Sequence, residues 1–437
     1  MRTQHRVLGG AAVVILVAST LGSVAGASAP RASSGAVIHV PTDASTIQRA
    51  VDKAKPGTLV LVAAGVYHEA VAVTHPNIVI RGESRVGTIV DCGFSTDGTK
   101  ANAFKVTANG VAIENLTARN CHANGFLWYG VKGYRGSYLT AIRNGDYGVY
   151  AFNSTYGQFD HDYASGSPDA GFYIGQCYPC HAVISNVEAE WNGLGYSGTN
   201  AGGSLVIARS SFHDNRAGIV PNSGTEEANP PQRGLTIVGN TVYSNNNAST
   251  AAIDIATTAT GNGILVAGGV NDVVERNLVY HQDVTGIGVI PLPEKIVSPS
   301  PKAKNFDALR NVVRGNVATG SKYDLLLVST IDSAKVSGGN CFSANRYSTS
   351  LPADIQHVVP CAGRPSGPFQ TDLAAFAAEL GGSKPPGADF QTVALPDPPA
   401  LGDLPHARTA PARPATSEPE LTVDVARVGV PPGPPAG

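Results

Sequence analysis

Acidic side chains that could perform acid–base chemistry are concentrated in one part of the chain. Asp160 and Asp162 flank His161, and on a β-strand two residues spaced in this way point to the same side, about 7 Å apart. Such a pair could divide the roles of acid and base or share a cation, for which calcium is the expected ion. Nothing else in the sequence requires a cofactor. The alternative is a pair of solvated carboxylates without a chemical role.

Two further polar residues nearby could act on a substrate. Asp169 lies in the turn before Gly171, where an Asp ordinarily hydrogen-bonds its own backbone but could also serve as a catalytic carboxylate. Arg216, preceded by His213 and Asp214, could bind a carboxylated sugar or an oxyanion, although a lone Arg after a turn more often makes a surface ion pair. If the protein is an enzyme, the candidate catalytic residues are Asp160, Asp162, Asp169 and Arg216.

Aromatic side chains give the second signal. About half of the Phe, Trp and Tyr residues fall between Phe126 and Tyr178, and Tyr150 and Tyr173 are 23 residues apart. Stacked on neighbouring strands about 4.8 Å apart, such rings would offer a flat platform to sugar rings. The alternative is that they cover one another beneath a loop. The predicted substrate-binding residues are Tyr150, Tyr173, Gln176 and Asn192.

The elements that position these residues follow a repeat of 23 residues. Glycines recur at this interval at positions 125, 148 and 171, at 195 and 218, and at 263 and 286. Each glycine opens a short strand in which alternate positions are apolar. The period predicts a solenoid, and helical repeats are excluded because 23 residues with this much Gly and Asn leave no room for two capped helices.

A second strand in each repeat, in the ranges 182–192, 205–215 and 235–245, superposes without gaps. Three apolar columns result, namely Ala182/Leu205/Leu235, Ile184/Ile207/Ile237 and Ala189/Phe212/Val242. Because side chains alternate along a strand, these columns must point inward. Extrapolated one repeat back, the register predicts Phe159 and His161 inward and Asp160 and Asp162 outward. Asn192, Asn215 and Asn245 share a turn position, where Asn tolerates left-handed backbone and can stack in a hydrogen-bonded ladder.

Three segments carry a family resemblance: "SPDAGFYIGQC" (167–177), "IVGNTVYSNN" (237–246) and "GNGILVAGGVNDVVERNLVY" (261–280). The chain resembles the right-handed parallel β-helix proteins of the pectate-lyase-like superfamily, and most closely the secreted bacterial parallel β-helix repeat proteins. The opening "STIQRAVDKAKPGTLVLVAAGVYHEAVAV" resembles their first rungs, with a short amphipathic helix that caps the end of the solenoid. The resemblance, over residues 38–361, implies an all-β fold, a single-stranded right-handed parallel β-helix.

The fold alone does not select an activity. It carries lyases, hydrolases, esterases, epimerases and non-catalytic binding proteins, and acidic clusters on its outer face serve the polysaccharide lyases and hydrolases. No full catalytic signature of pectate lyases, polygalacturonases or pectin methylesterases is visible in the sequence.

The ends of the chain differ from the repeats. Residues 1–27 have basic residues, an apolar run and a small-residue cleavage site, which predicts a signal peptide; the alternative is a retained membrane anchor. The β-helix is predicted over 28–364 and a short helical cap or appendage over 365–384. Residues 385–437 hold 13 of the 30 prolines and are predicted to form a disordered or extended tail. Residues 223–233 and 291–306 are predicted loops on one side.

The cysteines fit an oxidising compartment. The six are Cys92, Cys121, Cys177, Cys180, Cys341 and Cys361, and an even number favours three disulfides. Cys177 and Cys180 with His181 could be half of a zinc site, but a second ligand pair is absent, so a local disulfide or disulfides to other loops are preferred. Cys92 and Cys121 are separated by about one rung plus an excursion, and Cys341 with Cys361 could pin the last rungs.

Composition and charge restrict the partners. With a net charge of −2, the chain lacks the clustered Lys and Arg of a nucleic-acid-binding surface, and no segment after the signal peptide is apolar enough to span a membrane. We therefore predict a secreted bacterial monomer that binds or processes a polysaccharide or cell-wall glycan, as a lyase, epimerase or hydrolase if catalytic. The alternative is a non-catalytic structural or cell-surface binding protein.

Overall fold

The repeat folds into a parallel β-helix. A computed structural model describes residues 36–96, 101–416 and 418–433. Within these residues, three long sheets of 12, 10 and 11 strands run along the molecule, and neighbouring strands in each sheet come from successive turns of the chain. The prediction of an all-β, single-stranded parallel β-helix is confirmed. The predicted signal peptide, residues 1–27, lies outside the described residues.

Each turn of the chain, or rung, contributes up to three strands, one to each sheet. The first sheet contains Val37–Val40, Leu59–Val62, Val79–Gly82, Val111–Glu114, Lys132–Ser137, Thr155–Asp160, Ala182–Ser185, Gly202–Ala208, Arg233–Val238, Val273–Glu275, Val312–Arg314 and Cys341–Ser343. The second sheet contains Gly65–Tyr67, Thr88–Asp91, Thr117–Arg119, Thr140–Ile142, Tyr163–Ser165, Glu188–Glu190, Ser211–His213, Thr241–Tyr243, Leu278–Tyr280 and Val317–Thr319. The third sheet contains Val71–Val73, Phe104–Val106, Phe126–Tyr129, Tyr147–Phe152, Ala170–Gly175, Leu194–Thr199, Ala217–Asn222, Asn262–Ala267, Thr285–Ile290, Tyr323–Leu327 and Ser350–Leu351.

The apolar columns predicted from the sequence line the interior. Ala182, Leu205 and Leu235 are register partners on successive rungs, and the Ile184 and Ala189 columns align in the same way. All nine side chains are at most 1% exposed. Burial of each large aliphatic side chain stabilises the fold by about 1.5 to 3 kcal/mol, so the repeated columns fix the register of every rung.

The corners between the sheets do not continue the alternation of the strands. His161 has a left-handed backbone (φ 56°), which ends the strand Thr155–Asp160 and turns the chain into the second sheet. Phe159 points inward as predicted and is fully buried. His161 is exposed at the corner, so its predicted inward orientation is wrong. Asp162 follows the corner and points into it, so it does not share a strand face with Asp160.

Ladders of side-chain amides satisfy the backbone at the corners. The Asn192 N–H donates to Asn215 Oδ1, and the Asn215 N–H donates to Asn245 Oδ1, which confirms the predicted ladder. Asn192 is fully buried, and its side-chain amide donates to Ala164 and Glu190 carbonyls inside the turn. The predicted contact of Asn192 with substrate is therefore not supported by its position, because its polar atoms are used inside the solenoid.

Two carboxyl groups occupy amide positions in such ladders. Asp162 aligns with the ladder residue Asn240 and accepts the Leu139 N–H. Asp272 accepts the Leu235 N–H, while its own N–H donates to Asn311 Oδ1 in the third ladder. In both residues Oδ2 is buried without a hydrogen-bond partner. A proton on that oxygen would supply the donor that an Asn amide supplies, and burial raises the pKa of both groups, that of Asp272 to about 7.

Replacing Asp272 by Asn should therefore stabilise the protein at alkaline pH. Because folding raises the pKa of Asp272 from 3.8 to about 7, the folded state binds more protons than the unfolded chain between these values, and stability falls as the pH rises through this window. Above pH 7 the variant should exceed the wild type in free energy of unfolding by about 2 to 4 kcal/mol. At pH 4 the difference should nearly vanish.

Denaturant unfolding at several pH values measures this difference. The control is Asp283→Asn, because Asp283 is exposed and its replacement should change stability by less than about 0.5 kcal/mol at every pH. An equal effect of Asp272→Asn at pH 4 and pH 8 would show that Asp272 is ionised in the folded protein.

Short helices in the described residues lie at one end and on one side of the solenoid. They are Ile47–Lys53, Asp254–Thr258, Glu294–Val297, Ile355–Val358 and Leu373–Gly381, with a 3-10 turn at Val425–Arg427. The first follows Thr46, whose Oγ1 accepts the Arg49 N–H, and buries Ile47 and Val51 against the first rungs, which confirms the capping helix. None of the described helices is long and apolar enough to cross a membrane.

The remaining helices and loops cover the outer face of the third sheet. The helix Leu373–Gly381 buries Phe376 in an apolar cluster on that face, so it is an appendage on the side of the solenoid. The predicted loop 223–233 is irregular up to the strand that begins at Arg233. The predicted loop 291–306 contains a small antiparallel pair, Leu292–Pro293 with Asn305–Phe306. These insertions give the third sheet a walled outer face.

Three disulfides join the six cysteines: Cys92–Cys121, Cys177–Cys180 and Cys341–Cys361. The prediction of three disulfides is confirmed. Cys177 and Cys180 form the local disulfide, so the thiolates that a zinc site would need are not available.

The C-terminal segment 385–416 and 418–433, here called the strap, lies on the outside of the solenoid. The prediction of a disordered tail is not supported, because the strap is extended and makes specific contacts. Arg216 is fully buried and donates to the carbonyl oxygens of Pro385 and Pro386, both at 2.6 Å. Proline lacks an N–H and has a fixed φ, so a proline-rich chain stays extended and leaves its carbonyls free to accept.

Other arginines on the solenoid bind strap carbonyls in the same way. Arg143 binds Phe390 and Gln391, Arg85 binds Gly402, Arg81 binds Ala407, Ala410 and Pro411, Arg135 binds Arg413, and Arg276 binds Val425 and Val428. A side chain at Gly166 would collide with Leu395, and one at Gly239 would collide with Val428. The solenoid surface is therefore shaped for the strap in both hydrogen bonding and volume.

Candidate functional site

The predicted catalytic residues lie in different places. Asp160 is on the outer face of the first sheet, where it accepts hydrogen bonds from Ser137 Oγ at 2.9 Å and Gln158 Nε2 at 2.6 Å. The strap passes next to it, since the Leu421 N–H donates to Gln158 Oε1. Asp160 is 7% exposed. With Asp162 in a corner ladder and Arg216 under the strap, these three residues do not form one site.

Asp169 belongs to a different face. It lies just before the third-sheet strand Ala170–Gly175 and borders a cavity of about 420 Å³ between the sheet and its covering insertions. The cavity, here called the third-sheet cleft, is lined by Tyr147, Asp169, Ser197, Thr199, Asn222, Glu226, Glu227, Asp254, Glu294 and neighbouring residues. Of the predicted catalytic residues, Asp169 alone borders this cleft.

Three tyrosines pack together at the cleft. Tyr150 and Tyr173 are register partners on adjacent rungs, which confirms the predicted column, and their ring centroids are 4.8 Å apart with perpendicular planes. Tyr147 lies 4.3 Å from Tyr150 and 4.8 Å from Tyr173. Tyr173 is 1% exposed and lies beneath the 223–233 insertion, as the alternative interpretation predicts. Tyr147 and Tyr150 remain partly exposed.

Each buried tyrosine hydroxyl is paired with a carboxyl group. Tyr147 donates to Asp169 Oδ2 at 2.7 Å, and Tyr173 donates to Glu227 at 2.8 Å (Oε2) and 3.0 Å (Oε1). Burial raises the pKa of Glu227 to about 7, although the hydrogen bond from Tyr173 opposes the shift. Burial also raises the pKa of Asp169 well above its ordinary value. Two tyrosine–carboxyl pairs therefore lie together, one of them with a carboxyl group that titrates near neutral pH.

Additional carboxyl groups strengthen this field. Burial and the nearby charge of Asp254 raise the pKa of Asp146 to about 6. Glu294 holds the cover in place, because its carboxylate accepts the Thr225 N–H and the Lys304 N–H, both at 2.9 Å, from the two insertions. Titratable groups with shifted pKa values clustered in a cleft are typical of catalytic sites.

A family comparison defines the architecture further. Residues 102–290 match the family model described as a right-handed β-helix region. This chain is a right-handed parallel β-helix of the pectate-lyase-like superfamily. The cleft lies within the matched part of this β-helix, apart from its wall at Glu294.

Solved structures share the β-helix at low sequence identity. The A-module of a mannuronan C-5 epimerase of Azotobacter vinelandii is 13% identical, over 67% of this chain and 87% of that chain, with a TM-score of 0.48. An alginate lyase from a Paenibacillus species is 15% identical, over 69% and 92%, with a TM-score of 0.44. A pectate lyase is 14% identical, over 69% and 71%, with a TM-score of 0.38. Among curated proteins, none is significantly similar in sequence.

The second sheet of the β-helix carries the group that could hold a metal ion. Glu190, His213 and Asp214 offer ligand atoms within 4.8 Å of one another. Burial opposes a charged imidazole, but hydrogen bonds to Asp214 at 2.9 Å and Glu188 at 3.1 Å outweigh it and raise the pKa of His213 to about 9. The imidazolium itself can therefore neutralise this cluster. Asp160 and Asp162, which the sequence suggested for calcium, are not brought together.

Sequence reasoning missed most of the cleft of this β-helix. Asp146 and Tyr147 stand directly before Gly148, at the turn that Asp169 occupies one rung later, so the repeat contained a signal for them. Glu227 and Asp254 lie in insertions outside the repeat, where no register assigns a direction. Gln176 lies half-buried at the end of its strand, and its carbonyl accepts from Asn229 of the 223–233 insertion, close to Glu227.

Proposed function

We propose that this protein binds and processes an acidic polysaccharide in the third-sheet cleft. The observation that carries the proposal is the pair of tyrosine–carboxyl hydrogen bonds, Tyr147 with Asp169 and Tyr173 with Glu227, beside partly exposed aromatic rings. Aromatic faces bind sugar rings, and their hydroxyl groups supply polar contacts. The names of the solved structures given above refer to enzymes of alginate and pectin, and for this chain an acidic polysaccharide is our inference from the cleft.

Glu227 is the residue best suited to move a proton. A carboxyl group with a pKa of about 7 is half ionised near neutral pH, so it can accept a proton from a sugar carbon or return one to a leaving oxygen. Tyr173 holds the carboxylate in place. Lyase and epimerase reactions both begin with removal of a proton beside a sugar carboxylate, and either would use the same base.

The other acidic groups suit recognition of a carboxylated sugar. Asp169 is held above its ordinary pKa by burial, so it is protonated near neutral pH and can donate a hydrogen bond, as a neutral acid does in an apolar site. Donation to a sugar carboxylate would neutralise part of its charge and make the neighbouring proton easier to remove. Tyr147, whose pKa is also raised by burial, stays protonated and can serve as the acid.

Secretion is part of the proposal. Three disulfides join all six cysteines, as expected of an oxidising compartment, and the predicted signal peptide agrees with export. A large extracellular polymer is then an accessible substrate.

Incubation with mannuronan, polygalacturonate and a neutral glucan, followed by mass spectrometry and NMR of the products, tests the function. We expect a shortened or epimerised product from an acidic polymer, none from the glucan, and a limb in the pH profile of kcat/KM near 7 for Glu227. Binding of an acidic polymer without any product would favour the non-catalytic alternative. Absence of binding to every polymer would contradict the proposal.

A further inference from the structure

The aromatic cluster of the cleft continues along the third sheet to an exposed ring. Tyr150 packs against Phe152, with ring centroids 5.7 Å apart, and Phe152 stacks on Tyr129 at 5.5 Å with nearly parallel planes. Tyr129 and Phe152 are register partners on adjacent rungs. An unbroken series of rings therefore connects the tyrosine–carboxyl pairs with Tyr129.

Tyr129 ends this series with an accessible ring. It is 49% exposed, whereas Tyr173 at the other end of the series is 1% exposed. On the side away from Phe152, the register places the rung of Val106 and Thr107, and Thr107 is a small exposed residue. No insertion of the described chain is recorded against this ring among the aromatic contacts. A planar partner can therefore reach Tyr129.

A cation stands beside the same ring. Lys105 is exposed on the outer face of the third sheet, where it is the register partner of Leu127, two residues before Tyr129 on the same strand. A flat ring next to an ammonium group matches a sugar that has an apolar face and a carboxylate. Tyr129 lies one rung from Tyr150 and two rungs from Gly175, the end of the strand that carries Tyr173, so it is about 10 Å from the cleft along the axis.

We propose that Tyr129 and Lys105 form a distal subsite for a carboxylated sugar of a polysaccharide whose reacting unit lies in the third-sheet cleft. The inference rests on the proposed function, and it adds a direction: the polymer runs along the solenoid axis toward the N-terminal rungs. Short oligosaccharides that fill the cleft alone do not reach this subsite. Tyr129 and Lys105 therefore set the preference for chain length and take no part in the chemical step.

Kinetics with oligosaccharides of increasing length, made from the acidic polymer that the wild type processes, test the subsite. Tyr129→Ala should raise KM for hexasaccharides and longer chains about tenfold, as expected for one lost base- or sugar-type stacking contact of about 1.4 kcal/mol, while kcat and all parameters for the disaccharide stay unchanged. Lys105→Gln should raise KM for the long acidic chains and lose this effect at high salt, since salt screens an exposed charge.

The matched control is Tyr178→Ala. Tyr178 is 46% exposed, but its ring face is covered by the Arg233 guanidinium at 3.6 Å, so its loss should leave KM unchanged at every length. Wild-type kinetics of Tyr129→Ala on long chains would overturn the subsite while leaving the proposed function intact. If the wild type binds none of the oligosaccharides, the proposed function fails first, and the subsite fails with it.

Discussion

Replacing Glu227 by Gln should lower kcat/KM for the acidic polysaccharide by about 100- to 10,000-fold, the range of a lost general acid–base group. Gln keeps the size of the side chain and an oxygen that can accept from Tyr173, so the 223–233 insertion should stay in place over the cleft. The amide cannot take up a proton near neutral pH. The limb near pH 7 that we assign to Glu227 should disappear from the residual activity, and kcat should fall more than KM rises.

Glu226→Gln is the matched control, because Glu226 is the adjacent residue of the same insertion but is exposed and interacts only with exposed partners, Ser300 and Lys302. It should retain kcat/KM within about threefold, the effect of a weak surface ion pair. Equal losses in both variants would mean that the insertion acts through its charge as a whole. An unchanged pH profile in Glu227→Gln would remove Glu227 from the mechanism.

Replacing Phe172 by Ala should destabilise the protein by about 3 to 5 kcal/mol, the cost of a cavity left by a large buried ring. Phe172 is fully buried and stacks in register between Val149 and Tyr196 inside the solenoid. Tyr150, an outward residue of the preceding rung, is partly exposed and contacts other aromatic rings. Tyr150→Ala should therefore cost only about 1 kcal/mol, the value of a lost aromatic pair, while it weakens polysaccharide binding.

Chemical unfolding of both variants beside the wild type decides this contrast. Tyr173→Ala provides a third point, because its ring is buried under the insertion and its removal leaves the Glu227 carboxyl without its donor. We expect it to fall between the other two in stability. A loss for Tyr150→Ala as large as that for Phe172→Ala would mean that the ring of Tyr150 is structural, and the aromatic surface would then not be available to sugars.

The strands were predictable from the sequence because burial constrains every second side chain on each rung. The columns through Ala182 and Ile184 fix both the face and the register of the strands. The corners were not predictable in the same way, since one left-handed residue such as His161 ends the alternation, and extrapolation across it assigned the wrong direction to His161 and Asp162. Asp162 looked like a catalytic acid because its type suggested chemistry, whereas its position is that of a ladder amide.

The cleft shows a second limit of sequence reasoning. Tyr150, Tyr173 and Asp169 lie within the repeat, and its register brought the tyrosines together as predicted. Glu227 comes from an insertion that has no counterpart on neighbouring rungs, so only the folded chain reveals its contact with Tyr173. Arg216 was misread for a related reason, since its partners are carbonyl oxygens of the strap, and backbone acceptors leave no mark in a pattern of side chains.

The strap changes how such a solenoid can unfold. In an open stack each rung contacts only its neighbours, so the ends can fray while the middle remains folded. Here the guanidinium of Arg81 binds the carbonyl oxygen of Ala410, a residue 329 positions later, and Arg276 holds the other end of the strap many rungs away. The early rungs cannot separate without releasing the last residues of the chain. Early, central and late rungs should therefore be lost in a single transition, in which the strap transmits the failure of one rung to the others.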